Sequence, residues 1–250
     1  MLTQERKQYL LEVLKQQGKI EAKAIAAELG LSDDTIRRDL RELASAGKLQ
    51  RVHGGALPKS PADADLETRQ SIASQSKQQT GRIAAGLIEP EQVVIIDGGT
   101  TAMQLVQNLP PDQRNTIVTH SPTIAVALAP YPCIKVIMIG GTLFRHSMVN
   151  VGAATVEAVS HIHADTFFMG VTGVDVEAGL STGDLEEALV KRALSRRAAD
   201  TIIMASSEKL GVASPYVIMP LDNASGIVLD RKTPSSFKKL MKKAGLDVFE

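Results

Sequence analysis

The sequence predicts an α/β protein with a small N-terminal winged helix-turn-helix, followed by a larger doubly wound, mostly parallel sheet flanked by helices. Two observations predict this fold class. Residues 1–57 contain three short amphipathic segments and then a basic hairpin that ends in glycines. After them, short apolar runs alternate with amphipathic segments, a pattern typical of a parallel sheet that is covered on both faces. We therefore expect a head domain at 1–57, a linker at 58–70 and a body domain at 71–250.

Length and composition limit the classes of protein that are possible. A chain of 250 residues is long enough for two domains, and its formal net charge of zero means that any nucleic-acid site must be local. The single cysteine, Cys133, permits no intrachain disulfide and fits a reducing compartment. The N-terminus is polar and no apolar run reaches membrane-spanning length, so we expect a cytoplasmic protein with no membrane partner. Tryptophan is absent and aromatic residues are few, which argues against a surface that stacks single-stranded bases.

The head domain begins with two predicted helices, and the second of them is joined to the third by a short turn. Thr3 can begin the first helix and Gly18 can end it, with Leu10, Val13 and Leu14 on its apolar face. A second helix begins near Ala22, and Gly30 provides a tight turn after it. Two helices joined by a short glycine-containing turn form a helix-turn-helix when the second helix is basic.

The third helix has the properties of a helix that reads DNA. Ser32 is a good N-cap, and Ile36, Leu40 and Leu43 form one buried stripe. Arginines and a hydroxyl are displayed away from that stripe, and arginine can bind guanine edges or phosphate oxygens. A surface helix with solvated charges is the alternative. The segment 48–56 that follows alternates apolar and basic residues and ends in glycines, as a short β-wing does.

These two motifs together carry a family resemblance. Ser32-x-x-Thr35-Ile-Arg37-Arg38-Asp-Leu, followed by Arg51-Val-His53-Gly-Gly-Ala, resembles the winged helix-turn-helix of DeoR-type transcriptional repressors. The resemblance implies that Thr35, Arg37 and Arg38 face bases and phosphates, and that Arg51 and His53 contact the DNA backbone. With the residues displayed near the start of the third helix, the predicted DNA-binding set is Ser32, Thr35, Arg37, Arg38, Arg41, Arg51 and His53.

The body domain contains six candidate strands. They are Val93–Ile96, Thr116–Val118, Val136–Ile139, Phe167–Met169, Ile202–Met204 and Ile227–Leu229. Ligands of such sheets bind at the carboxyl ends of the strands.

Two glycine turns lie at predicted strand ends. Asp97-Gly98-Gly99-Thr100-Thr101 runs into a predicted helix, whose N-terminus offers free N–H donors and a positive dipole to an anion. Gly140-Gly141-Thr142 follows another strand, with Arg145 close behind. Neither a Walker lysine nor G-x-G-x-x-G is present in these turns, so we expect neither a nucleoside triphosphate nor a dinucleotide. A plain strand-to-helix turn is the alternative to a phosphate site.

The resemblance continues through the body domain. The two glycine turns, the segment 165–173, Leu185-Glu186-Glu187 with Lys191-Arg192-Ala193, and Ser207-Glu208-Lys209-Leu210-Gly211 follow the effector domain of DeoR-type regulators in order. That domain is similar in fold to ribose-phosphate isomerases and usually senses a phosphorylated sugar or a related metabolite. The resemblance implies a phosphate cradle at Asp97–Thr101, a cation at Lys209 and a hydroxyl acceptor at Glu186. His120 stands where relatives usually have asparagine. The predicted effector-binding set is Asp97, Gly98, Gly99, Thr100, Thr101, His120, Gly140, Gly141, Arg145, Glu186 and Lys209.

The predicted function is that of a transcriptional regulator, with repression of a carbohydrate-utilisation operon relieved by the phosphorylated effector. Its partners would be double-stranded operator DNA, the effector and further copies of the chain, because one winged helix covers only one half-site. We expect no cofactor, no metal and no catalytic residue. A sugar-phosphate isomerase-like enzyme is the alternative, but Met169 and Thr172, at the positions that best match the aspartates of such enzymes, cannot abstract a proton. The pair Glu187 and Lys191 is interpreted as a solvated helix face.

Overall fold

The structure, a computed structural model, describes residues 2–250; Met1, the first residue of the predicted head domain, lies outside them. The head domain has three helices and a small sheet of order β1-β3-β2, as the pattern of its first 57 residues predicts. The elements of the head domain are α1 (Thr3–Gln17), β1 (Ile20–Glu21), α2 (Ala22–Leu29), α3 (Asp33–Ser45), β2 (Gln50–Val52) and β3 (Gly55–Leu57).

A buried ion pair fixes α3 against α1. Arg6 of α1 donates from Nε and Nη2 to the two carboxylate oxygens of Asp39, whose side chain is completely buried. The carboxylate raises the pKa of Arg6. Asp39 therefore does not reduce the positive charge of the outer face of α3, because its own charge is buried and paired on the inner face. Breaking such a pair by removing one partner is strongly destabilising.

The wing depends on a glycine. β3 lies between β1 and β2, and a Cβ on Gly55 would lie 1.7 Å from the carbonyl oxygen of Ile20 in β1. Only glycine fits at so close an approach of two backbones.

The segment 58–70, predicted as a linker and called the connector below, is packed on the body domain. It contains a 3-10 helix, Pro61–Asp63, and most of α4 (Leu66–Ser71). Ser60, Ala62 and Arg69 are buried, and Lys59 forms a parallel bridge with Ala213 of the body. The connector is therefore ordered chain with its own side-chain contacts.

The body domain is built on a seven-stranded parallel sheet of order β15-β14-β12-β9-β4-β5-β6. Phe167 and Phe168 are both fully buried although successive side chains of a strand point to opposite faces, so both faces of the sheet are covered. The helices and sheet strands are α5 (Ser74–Ala85), β4 (Val93–Ile96), α6 (Thr100–Gln107), β5 (Thr116–Thr119), α7 (Pro122–Leu128), β6 (Lys135–Met138), α8 (Ala153–Ser160), β9 (Ala164–Gly170), α9 (Leu185–Ser195), β12 (Ala198–Met204), β14 (Gly226–Val228), α10 (Ser235–Lys243) and β15 (Asp247–Phe249).

Two antiparallel units are inserted between these strands. A hairpin pairs β7 (Thr142–Phe144) with β8 (Val149–Val151). A three-stranded sheet joins β10 (Gly173–Asp175), β11 (Gly179–Thr182) and β13 (Tyr216–Met219). The second unit packs beside α9 and, with the connector, closes one side of the site described below. Within residues 2–250, no helix combines the length and the apolar character that crossing a bilayer requires.

Candidate functional site

The outer face of α3 has the geometry of a DNA-reading surface. Ser32 caps the helix by accepting a hydrogen bond from the backbone N–H of Thr35, and the two side-chain oxygens lie 2.9 Å apart. Arg37 donates to Asp33 one turn earlier and is half-buried. Arg38 and Arg41 are exposed, as are Arg51 and His53 of the wing. The head therefore presents cationic side chains from two adjacent elements, an arrangement that suits the charge of the phosphate backbone.

The body domain places its polar site at the switch point of the sheet. From β4 the chain continues through β5 and β6 to one edge, whereas the strands from β9 onward build the other side. In open α/β sheets the crevice at such a point, beyond the carboxyl ends of the strands, is where ligands bind. Here it holds the loop after β4, the end of β9 at Gly170, and the 3-10 helix Ser207–Lys209 that follows β12.

The loop after β4 presents the N-terminus of α6 to this crevice. Gly99 is the N-cap of α6, with φ of 101°, a backbone conformation that glycine adopts without strain. Gly98, Gly99, Thr100 and Thr101 all line the pocket. The first-turn N–H groups of a helix have no partner within the helix, so they are available to an anion.

Asp97 lies beneath this loop, and its carboxylate is fully used by the protein. It accepts hydrogen bonds from the backbone N–H groups of Gly98 (2.7 Å) and Gly170 (2.8 Å), and it pairs with Lys191 and His120. Burial alone would raise the pKa of Asp97, but the charge of Lys191 and the hydrogen bond from His120 outweigh it and keep that pKa below its ordinary value. Asp97 therefore holds the ends of β4 and β9 together and is an anion with no free acceptor for a ligand.

Four cationic side chains surround the N-terminus of α6, and we call this site the cation pocket. They are Arg69, Lys77, Lys191 and Lys209, all at least nine-tenths buried. Lys191 is balanced by Asp97 and by Glu187 at 3.3 Å, and Lys77 lies 3.6 Å from Glu208. These three carboxylates leave an excess of cationic charge, and Arg69 and Lys209 lack a carboxylate partner.

Lys209 and Arg69 are the cations that a ligand could neutralise. Lys209 Nζ donates to Thr101 Oγ1 at 3.1 Å, and burial lowers the pKa of Lys209 to about 8. Burial also lowers the pKa of Arg69, although Glu187 and other carboxylates nearby oppose it. Arg69 Nη2 lies 3.4 Å from both His146 O and Ser147 Oγ, and its buried Nε has no hydrogen-bond partner.

The cation pocket is narrow. Its enclosed space is about 20 Å³, close to what one water molecule occupies. A groove of about 500 Å³ adjoins it and shares Lys77, Gly99 and Thr100 with it. Any ligand larger than water must therefore shift a wall of the pocket or extend into the groove.

The structure brings some predicted effector residues into the cation pocket and leaves others outside. Gly98, Gly99, Thr100, Thr101 and Lys209 line it. His120 is buried behind the loop, with one ring nitrogen 2.8 Å from Asp97 and the other 2.8 Å from Asn150 O. The predicted residues outside the pocket lining, besides Asp97 and His120, are Gly140, Gly141, Arg145 and Glu186, and all four are exposed.

Five charged residues of the pocket are absent from the predicted effector-binding set. Glu187 and Lys191 are buried, so their interpretation as a solvated helix face is wrong. Arg69 lay within the predicted linker. Lys77 was detectable, because it shares the buried face of α5 with Thr80, Gly81 and Ala84, and a lysine in line with small buried residues calls for a partner. The missed residues are Arg69, Lys77, Glu187, Lys191 and Glu208.

Two of the three carboxylates of the pocket are occupied by partners. Glu187 accepts from Thr182 Oγ1 at 2.9 Å and pairs with Lys191, and Asp97 has its own partners, whereas Glu208 keeps one buried oxygen without a partner. The segment Gly170–Gly173 contributes no titratable side chain. In the part of the chain that the structure describes, no cluster of three or more metal-binding side chains is present.

Comparison with known proteins identifies both domains. Residues 6–61 match the model of the DeoR-like helix-turn-helix domain, and residues 72–231 match the DeoR C terminal sensor domain. The chain belongs to the DeoR family of transcriptional regulators. It is 29% identical over 250 residues to the "Putative aga operon transcriptional repressor" of Escherichia coli O157:H7, covering 98% of this chain and 93% of that protein. It is 30% identical over 260 residues to the "HTH-type transcriptional regulator GlpR" of Haloferax volcanii, covering 100% and 98%. The "Glycerol-3-phosphate regulon repressor" of Escherichia coli K12 is 27% identical over 233 residues, covering 93% and 92%.

The DeoR family assignment decides between the two functions that the sequence allowed. This DeoR-family chain is a DNA-binding transcriptional regulator, and the isomerase alternative is not favoured, since relatives that match nearly its full length are named regulators or repressors. The body domain, matched as a sensor, is the part of this DeoR-family protein that contains the cation pocket.

Proposed function

We propose that this DeoR-family chain is a repressor that binds an operator through α3 and the wing and releases it when a phosphorylated sugar or related metabolite occupies the cation pocket. The observation that carries the proposal is the buried excess of cationic charge at the N-terminus of α6. Burying charge without a partner is costly, and proteins retain such groups where a ligand of opposite charge completes them.

The open groups of the pocket specify the chemistry of the ligand. Arg69 Nε and Lys209 offer donors to anionic oxygens, and the free N–H groups of α6 add to them. Glu208 Oε2 is a buried acceptor with no partner, and a hydroxyl group could donate to it. A ligand with both an anionic group and hydroxyls, such as a phosphorylated sugar or polyol, provides acceptors for the open donors and a donor for the open acceptor. Inorganic phosphate provides only the acceptors.

The names of the relatives agree with this chemistry. One relative is a repressor of a glycerol-3-phosphate regulon, which is named for a phosphorylated polyol. We infer an effector of the same class for this chain, without assigning glycerol phosphate itself. In this proposal Glu208, or Glu187 of the same pocket, takes the hydroxyl-binding role that the sequence prediction gave to Glu186.

The proposed repressor acts in the cytoplasm as a homo-oligomer. One head reads one half-site, so tight binding to an operator requires at least two heads at a matching spacing. An effector that binds more tightly to an arrangement in which this spacing is lost shifts the population toward released DNA. Moving an equilibrium from mostly bound to mostly released requires a differential affinity of roughly 5 kcal/mol. Several charge-assisted hydrogen bonds formed in one arrangement only are strong enough for this.

The test uses purified full-length protein. A duplex is first selected from a random library, and the melting temperature is then measured with a panel of pentose, hexose and glycerol phosphates, each beside its unphosphorylated counterpart. We expect a phosphorylated compound both to raise the melting temperature and to release the selected duplex, because a ligand of the folded state stabilises it. Failure to select any duplex, or a panel in which no phosphorylated compound has an effect, contradicts the proposal.

A further inference from the structure

We propose that the connector (residues 58–70) is a moving wall of the effector pocket, and that Arg69 on it binds the effector anion and thereby transmits occupancy to the head. This inference rests on the proposed function, since it concerns how the same site controls DNA binding. It assigns a site role to a segment that the sequence marks only as a linker.

The connector forms part of the pocket wall. Ala62 and Arg69 line the cation pocket directly. The guanidinium of Arg69 lies over the loop before α6, where its Nη1 is 4.0 Å from the position that a Cβ on Gly99 would occupy. Arg69 therefore lies close to the N-terminus of α6, and we place the bound anion between them.

The guanidinium of Arg69 does not have a hydrogen-bond acceptor for every donor. Its contacts with His146 O and Ser147 Oγ are both 3.4 Å, which is long for a hydrogen bond, and its Nε has no partner. A buried donor without an acceptor is unfavourable. Two oxygens of a phosphate can accept from the guanidinium in a bidentate manner, which is its strongest mode of binding. The ligand thus supplies the interaction that the connector lacks in this structure.

The other contacts of the connector are mostly hydrogen bonds. Besides the buried side chain of Ala62 and the bridge of Lys59 with Ala213, Lys77 Nζ of α5 donates to the carbonyl of Arg69, and His146 Nε2 lies 3.1 Å from Asp63 O. Ser60 Oγ donates to the carbonyl of Thr172, and Ser214 Oγ donates to Asp63 at 2.7 Å. On the other side, Leu66 N donates to His146 O at 3.2 Å. The rest of the lining comes from α5, α6, α9, the strand ends and the 3-10 helix Ser207–Lys209, all of which belong to the body domain. Because the space is about the size of one water molecule, an entering phosphate must displace a wall or extend into the adjoining groove. The connector is the wall that we propose to move, since none of its residues belongs to the two apolar cores of the body.

The part of the connector that joins the head to the body is short. β3 of the wing ends at Leu57, and Ser60 is already buried against the body, so only two residues lie between them. Two residues span at most roughly 7 Å. In residues 2–250, the one ion pair that joins the head directly to the body is Lys19 with Glu177, at 4.0 Å and exposed. Displacement of residues 60–63 therefore moves the head, and with it the spacing of paired reading helices.

The first test follows the connector itself. The chain has no tryptophan, so Glu67→Trp, at an exposed position of α4, introduces a single fluorescent reporter on the connector. Inorganic phosphate is titrated against chloride at equal ionic strength. We expect the emission to change with the same midpoint as the rise in melting temperature, and the change to disappear when Arg69→Gln is added. Arg114→Gln, an exposed arginine outside the pocket, is the matched control and should leave the emission change intact.

The second test lengthens the connector at its junction with the head. Inserting Gly-Ser-Gly-Ser between Pro58 and Lys59 should leave the phosphate-induced rise in melting temperature unchanged but reduce the release of the selected duplex by phosphorylated effector. The same insertion after Asp112, in an exposed loop between α6 and β5, is the control and should release normally.

The outcomes separate this inference from the proposed function. If no phosphorylated compound stabilises the protein, the proposed function fails. If phosphate stabilises the protein while the tryptophan at position 67 reports no change, the inference alone is overturned. Full release of duplex by the variant with the insertion at 58 also overturns it. Should that insertion abolish duplex binding in the absence of effector, the fluorescence titration alone decides.

Discussion

The buried charge of Lys209 lowers the stability of the ligand-free fold, although the same charge is suited to binding an anion. The pKa of Lys209 is about 8 in the folded chain, against 10.5 as its ordinary value, because burial disfavours the charged form. Below pH 8 the folded and the unfolded chain both carry the proton, so folding is less favourable there by about 3 kcal/mol than above pH 10.5. A buried lysine that lowers the stability of the fold is consistent with a role in binding the effector anion.

Lys209→Met should therefore stabilise the ligand-free protein. At pH 7 we expect the free energy of unfolding to rise by about 1–3 kcal/mol, because a buried charge is replaced by an apolar side chain of similar length. The rise in melting temperature with phosphate should be lost in the same variant. Urea unfolding and thermal shift measure the two effects. Lys135→Met, at an exposed lysine of β6, is the control and should change neither. A destabilised Lys209→Met variant that still responds to phosphate contradicts this account.

Anion binding should weaken as the pH rises through about 8. The bound anion requires charged Lys209, so above this pH binding must take up a proton, and the affinity should fall by about tenfold per pH unit. The groups that face Lys209 are Glu208, Lys77, Arg69 and Lys191, and burial also lowers the pKa of Lys77, which extends the decline to higher pH. Sulfate is the suitable probe in calorimetry, since its charge is constant over this range. An affinity that is flat from pH 7 to 10 would show that Lys209 is not in contact with the anion.

At the scale of elements, six of the seven strands of the parallel sheet are predicted from the sequence because each is a short apolar run. All six apolar runs are strands of the parallel sheet, because a strand buried on both faces requires an uninterrupted apolar run. β15 was missed because Asp247-Val248-Phe249 is short and includes a charged residue at an edge of the sheet. β10 and β11 were missed for a similar reason, since they are short and contain glycine and polar residues. β13 is an apolar run, Tyr216–Met219, that the prediction left out.

The site was predictable only where a loop motif marks it. The glycine turn after β4 identifies the anion-binding end of α6, since glycine and threonine before a helix have a local physical meaning. Lys77 is marked only by its spacing from the small buried residues of α5, and Arg69 and Lys191 carry no local mark. They lie on helices whose charged positions look solvated until the fold shows what packs against them, and packing is a property of distant parts of the chain.

The element that reads DNA can be tested by itself. Arg38→Ala should weaken binding to the selected duplex by about 1–3 kcal/mol if Arg38 reads a base, because a bidentate contact with guanine is lost. Competition with point-mutated duplexes then shows relaxed discrimination at one position. Arg82→Ala, at an exposed arginine of α5, is the control and should bind normally. The response to phosphate should survive in Arg38→Ala, and a variant that loses both activities contradicts the separation of reading and sensing.

At the scale of the whole molecule, the two domains have separate tasks joined by a short tether. The head is stabilised by its own core and by the buried pair of Arg6 with Asp39, and the body by a core on each face of its sheet. Neither core includes residues of the other domain. Within one chain, a signal between them must therefore pass along the connector or through the exposed pair of Lys19 with Glu177. Of these two routes, the connector is the one that lines the cation pocket.

Thr101→Asp should separate the tasks in the complete protein. Thr101 lies 3.1 Å from Lys209 through its hydroxyl, so a carboxylate at this position pairs with Lys209 and repels a phosphate. The substitution lies on α6 and changes no residue of the connector. We expect normal affinity for the selected duplex, no rise in melting temperature with phosphate, and no release by the phosphorylated compound that releases the unmodified protein. Thr101→Ser keeps the hydroxyl and should respond normally. A Thr101→Asp protein that still releases its duplex would show that the effector is sensed outside the cation pocket, and one that binds no duplex would show that α6 supports the head directly.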